Sequence, residues 1–247
     1  MPYKSKITAF ISILMDLKII LLIKILSATK QHLYTFFLFF LLMFGFTKEE
    51  IAIFKSLNTP KKIQDFLNKI PANFEPDRET VLSPRMVLKE NRAHCMEGAM
   101  LAATALRFHG HKPLVVDLTS VKDDDDHVIT VFKQHGHWGA ISKTNHAVLR
   151  YREPVYKSIR ELVMSYFHEY FTNHDGRKTL RSYSMPIDLS RFDKQGWMTA
   201  EEDVWYVPEY LFEVQHQSIL SRSQIARLRK ADSIEIQAGS ITEWKKK

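Results

Sequence analysis

One run constrains this chain more than any other: Asn91-Arg-Ala-His-Cys95, then Met96-Glu-Gly-Ala-Met-Leu-Ala-Ala-Thr-Ala-Leu-Arg-Phe108. Ala, Leu and Met are strong helix formers, and the run is long enough for nearly four turns. His109-Gly110, followed by Pro113, supplies the stop. Cys95 therefore falls in the first turn of a helix. The next stretch of chain is strand-like. Leu114 to Leu118 is mostly apolar, Asp123 to Asp126 is an acidic interruption, and His127 to Phe132 and His137 to Ser142 are two further apolar runs. Gln134-His-Gly136 reads as a tight hairpin turn, with Gly136 supplying a positive φ. The expected fold class is α+β, a helix carrying the cysteine packed on an antiparallel sheet.

The rest of the chain divides unevenly. Residues 1–46 hold apolar runs, Ile7 to Met15, Ile19 to Ile23 and Leu33 to Phe46, interrupted by Asp16, Lys18, Lys24 and Lys30. The last run is shorter than the roughly 20 residues that span a bilayer, and no small-residue cleavage site follows it. Three readings stay open: a short or tilted membrane anchor, an interfacial amphipathic helix, or an extension that is not part of the working protein. The expected location is cytoplasmic, with membrane association through this segment as the alternative. Residues 47–247 read as one globular domain with its core at 85–145. Thr47-Lys-Glu-Glu50 is a helix-cap signature and Thr59-Pro60 opens a second short helix that Pro71 stops, so the domain begins with a helical lead-in. Glu75 to Arg85, bracketed by Pro76 and Pro84, reads as loop. Ser158 to Phe171 has the spacing of an amphipathic helix expected to cover the sheet. Asn173 to Gly196 reads as turns, Glu201 to Phe212 follows, and Ser221 to Lys230 is a basic helical tail.

The sequence has one cysteine, which excludes a disulfide framework and leaves a free thiol. A thiol attacks a carbonyl as the thiolate, and a helix N-terminus with a nearby imidazolium lowers its pKa. The N–H groups there can also receive an oxyanion, with the Cys95 amide as first donor and Asn91 as a candidate second. Eleven histidines compete as partner. His94, if helical, points about 100° from Cys95, and His109 and His111 lie several turns away. His127 opens a strand that can lay its first side chain against the helix start.

These residues resemble a family. The order of helix-borne Cys95, the Leu114 to Leu118 strand, and His127 opening a hairpin whose second strand carries Trp138 is similar to the core of the transglutaminase-like superfamily within the papain-like folds. The resemblance implies a cysteine, histidine and aspartate triad, with Cys95 and His127 in the first two roles. The third falls four residues after Trp138, at Ser142, where this sequence has no aspartate. Hairpin register bears on the same position. A two-residue turn pairs Gln134 with His137 and Ile129 with Ser142, whereas one more turn residue brings Asn145 opposite His127. Ser142 and Asn145 both stand as candidates.

The implied activity is cysteine-dependent acyl transfer on a peptide or protein amide, as hydrolase or transferase. The alternative is a binding or scaffold module that keeps the fold. No cofactor and no metal is expected: Asp123 to Asp126 reads as a solvated loop, and Cys95, His94, His109 and His127 lack a short-spaced ligand pair. Nucleic acid is disfavoured as a partner. Residues 1–46, with five lysines and one aspartate, carry +4 of the net +7, and no aromatic platform accompanies the basic tail.

Overall fold

The structure, a computed structural model, describes residues 44–245. The chain divides into two units, Met1–Phe46 and Thr47–Lys247, and the second holds all of the elements described below. The anchor, interfacial-helix and extension readings of the first segment fall almost wholly outside the described residues. No helix among the described residues is long and apolar enough to cross a membrane.

The lead-in forms as its cap residues dictate. In α1 (Lys48–Ser56) the Thr47 hydroxyl accepts from the Glu50 N–H, and the Glu50 carboxylate accepts from the Thr47 N–H. Helix α2 (Pro60–Lys69) is capped by Thr59 and buries Ile63, Gln64 and Leu67. A third helix, α3 (Pro84–Glu90), begins inside the stretch read as loop. Ser83 caps it, Pro84 fills the first helical position where no N–H is needed, and Asn91 ends it in the left-handed region with φ of 51°. Helix α4 (Cys95–Phe108) follows, and every residue in it except Cys95 and Arg107 is buried.

The sheet is antiparallel throughout, with strand order β4-β3-β2-β1-β5-β7 and β6 paired to β1. Its strands are β1 (Leu114–Thr119), β2 (His127–Gln134), β3 (His137–Ser142), β4 (Arg152–Tyr156), β5 (Ser182–Ser184), β6 (Ile187–Asp188) and β7 (His216–Ser218). The β2–β3 hairpin has the two-residue turn: His135 and Gly136 both carry positive φ, 49° and 81°, and Ile129 pairs with Ser142. Thr130 Oγ1 donates to the Ala99 carbonyl at 2.6 Å and ties β2 to α4. Its neighbours Ile129 and Val131 alternate to the opposite face. There they pack with Val116, Leu118 and Ala140 against Leu162, Val163, Tyr166, Phe167 and Tyr170.

Those last residues belong to the segment expected as one helix from Ser158 to Phe171, and here the expectation is corrected. Helix α5 (Ile159–Met164) stops early and a 3-10 turn (Phe167–Glu169) resumes. At the break the Ser165 hydroxyl donates to the Leu162 carbonyl, which the Ser165 N–H also approaches. The turn-rich Asn173 to Gly196 stretch contains β5, β6 and a 3-10 helix (Leu189–Gln195), with strands too short for alternation to register. Helix α6 (Tyr206–Glu213) lies within or just beyond the Glu201 to Phe212 run. The basic tail is helical only over α7 (Arg222–Ile225), and α8 (Ser233–Gly239) comes after it.

Candidate functional site

Cys95 is the first residue of α4, partly exposed, and opens onto two cavities. Burial works to raise the thiol's pKa. Hydrogen bonds and positive charge from His127 and His94 outweigh it and hold the thiol well below its usual value. Two imidazoles, not one, therefore flank the sulfur.

His127 is buried at the start of β2, and its Nε2 lies 2.8 Å from Ser142 Oγ. The Ser142 hydroxyl donates to the Leu149 carbonyl at 2.5 Å, so toward His127 its oxygen is left to accept. This assigns the proton to His127 Nε2 and leaves Nδ1 as the nitrogen available to the thiol. Ser142 is itself clamped by a residue with no functional signal in the sequence. Gln64 of α2 accepts from the Ser142 N–H and donates to the Ser142 carbonyl, both at 2.9 Å. Gln64 stands in the helical pattern of Ile63 and Leu67 and looks like an ordinary polar position; only long-range pairing reveals its task.

His94 is not on the helix. It is the N-cap, with φ of −92° and ψ of −173°, so the 100° helical projection expected of it does not apply. Its Nε2 lies 2.9 Å from the Thr80 carbonyl, 3.4 Å from Glu97 Oε1 and 3.9 Å from Glu75 Oε1. Its Nδ1 accepts the Met96 N–H at 3.2 Å. Burial works against charge on His94, but the bond to Cys95 and the charges of Cys95 and Glu97 raise its pKa to about 9. Glu97 is fully buried and accepts from Asn73, Thr80, the Leu82 N–H and the His94 N–H.

No family model and no curated protein matches this sequence. The site therefore rests on its own geometry.

The other sequence candidates are placed elsewhere. Asn145 spends its side chain on Trp244, donating to its carbonyl at 3.0 Å and accepting its N–H at 2.8 Å, so it does not orient His127. Asn91 caps α3 and lines neither cavity. His109 bonds the Phe54 carbonyl at the far end of α4. Among the described residues no group of three or more His, Cys, Asp or Glu is arranged to hold a metal ion.

The two cavities, about 380 Å³ and 480 Å³, meet at Cys95 and Asp126. The first is walled by His94, His127, Tyr170 and the acidic loop, which is anchored: Thr179 donates to Asp124, Arg177 pairs with Asp123, and Tyr170 donates to the Asp125 carbonyl. The second has Trp205, Phe212 and Val128 as apolar walls with Asp117 and Asp126 beside the thiol. Burial raises the pKa of Asp117, against a hydrogen bond from His216, whose Nε2 is 3.0 Å away.

Proposed function

We propose that the chain is a cysteine-dependent acyl-transfer enzyme acting on amide bonds, with a papain-like, transglutaminase-like arrangement of its site. The observation that carries this reading is that Cys95 at the start of α4 and His127 at the start of β2 wall one cavity, with His127 Nε2 2.8 Å from Ser142 Oγ on β3. In the proposed reaction the Cys95 thiol passes its proton to His127 Nδ1, and the thiolate attacks the amide carbonyl carbon, forming a C–S bond and an oxyanion at the α4 N-terminus. Collapse breaks the C–N bond, and the leaving nitrogen takes a proton from His127. Water or an amine then gives its proton to His127 and attacks the thioester, and C–S cleavage returns the thiolate. Cavities on both sides of the sulfur suit an extended chain crossing the thiol, so the proposed substrate is a peptide or protein amide. The carboxylates of Asp117, Asp124 and Asp126 favour positively charged groups in it.

A second reading follows from Ser142, because a neutral hydroxyl stabilises an imidazolium less than a carboxylate does: a binding or scaffold module of low turnover. Haloacetamide alkylation of Cys95 as a function of pH, together with thioester trapping by amide substrates, separates the two. The enzyme reading expects the alkylation rate to plateau below about pH 7 and His127→Ala to lose turnover. A rate still climbing past the free-thiol value near 8.5 overturns it.

A further inference from the structure

We infer that the second cavity is the subsite that selects the substrate, and that it takes an arginine or lysine side chain next to the reacting amide, with its stem against Trp205 and Phe212 and its charge among Asp117, Glu209 and Glu213. This rests on the acyl-transfer reading and deepens it, assigning the preference for positive charge to one cavity and one class of side chain.

Two features of that cavity, different in kind, point to the same ligand. The first is uncovered aromatic surface. Trp205 at the N-cap of α6 and Phe212 near its end are 40% and 84% exposed. With Glu209 between them they fall at spacings of four and three residues, so all three share one helix face, and all three line the cavity. The buried Val128 and Leu211 continue the apolar wall inward. Such a wall covers a long alkyl stem, and the faces of Trp and Phe rings also attract a guanidinium or an ammonium.

The second feature is a deep carboxylate with an unused oxygen. Asp117 is 6% exposed and lines the cavity. Its Oδ2 lies 3.0 Å from His216 Nε2, and its Oδ1 takes no hydrogen bond from any described residue. Burial disfavours its ionised form, and the Asp126 charge adds to this against the His216 bond. A cation brought to Oδ1 reverses that. Glu209 and Glu213 add negative charge at the exposed rim, and among the described residues no lysine, arginine or histidine lines the cavity. The first cavity has no such bias, because His94, His127, Lys143 and His146 line it together with the acidic loop.

The test is alkylation of Cys95 in the full chain by three reagents: haloacetamide itself, a haloacetamide extended by an arginine-like stem with a terminal guanidinium, and the same stem ending in a neutral urea. In each case the thiolate displaces halide, so a C–S bond forms, the C–halide bond breaks, and only the appended group differs. The guanidinium reagent is expected to react about tenfold faster than the urea reagent. Asp117→Asn and Glu213→Gln are expected to cut that ratio severalfold, and Phe212→Ala to slow both extended reagents relative to haloacetamide. Asp125→Asn, in the first cavity, is expected to leave the ratio as it is. Equal rates for the guanidinium and urea reagents in the wild type overturn the inference. So does a ratio that falls with Asp125→Asn but survives Asp117→Asn and Glu213→Gln. Both results leave the acyl-transfer reading in place, because haloacetamide alone decides that reading: a rate still climbing past the free-thiol value near 8.5 overturns it and the subsite with it. Thermal unfolding shows whether Asp117→Asn has failed to fold, in which case the variants at the exposed Glu213 and Phe212 decide.

Discussion

Ser142 joins three separate demands in one side chain. Its hydroxyl accepts from His127, donates to Leu149, and sits on a backbone that Gln64 holds at both N–H and C=O. Removing the hydroxyl leaves the buried His127 ring and the half-buried Leu149 carbonyl without this partner, which costs about 1–3 kcal/mol. Ser142→Ala is therefore expected to lower the melting temperature by roughly 2–10 °C for a domain of this size and to slow any turnover modestly, read by calorimetry and thioester formation. An aspartate there would bind His127 more strongly, but it would face the Leu149 carbonyl with no proton to give. Ser142→Asp is thus expected to lose stability, and a stable variant with faster turnover would show that the loop at Leu149 can turn its carbonyl away.

At the scale of elements, the parts with local signals were legible and those made by long-range pairing were not. The β2–β3 hairpin was legible from its two apolar runs and the Gln134-His-Gly136 turn, but the register stayed open between Ser142 and Asn145 until the structure paired Ile129 with Ser142. Helix α4 was legible from its composition. Composition misplaces His94, because it cannot fix the start of a helix to one residue: shifting His94 from helix to N-cap turns its side chain back onto the Met96 N–H. The three-residue β5 and β7 strands carry too few positions for a pattern. Close packing of α4 on the end of β3 supplies an element-scale prediction. A Cβ on Gly98 would lie 2.3 Å from Lys143 Cβ and 2.8 Å from its Cγ, so the two elements would have to separate. Gly98→Ala is expected to cost about 1–3 kcal/mol in chemical denaturation, despite alanine's better helix propensity. Lys143 itself donates to the Leu67 and Ile70 carbonyls at the end of α2, at 3.2 Å and 2.5 Å. Burial lowers its pKa from 10.5 to about 8, so between those values the unfolded chain holds a proton that the folded one has released. Stability should rise with pH across about 8 to 10.5, and Lys143→Met should flatten that slope in denaturation at several pH values.

For the whole molecule, the site depends on chain segments far apart in sequence. Leu149, which takes the Ser142 proton, lies in the loop between β3 and β4, and that loop is tied down by the C-terminal segment. Asn145 makes two bonds with Trp244, His146 Nδ1 lies 2.8 Å from the Gly239 carbonyl, and the Ala147 N–H donates to Ile241 at 3.0 Å. The apolar cluster between the sheet and α5 lies upstream of α8. Removing residues 233–247 should therefore leave the core assembled but loosen the loop, with the bond from the Leu149 N–H to Glu169 at 2.8 Å left to hold the carbonyl that fixes Ser142. The expected outcome is a chain that still unfolds cooperatively, with a slightly lower melting temperature, in which His127 has lost its fixed orientation and amide turnover falls with it. Alkylation reports on the same ring, because the His127 hydrogen bond and charge help to hold the thiol below its usual value. The thiol pKa should rise as turnover drops. Full turnover with an unchanged thiol pKa in the shortened chain would mean that the bond from the Leu149 N–H to Glu169 is enough to hold the β3–β4 loop.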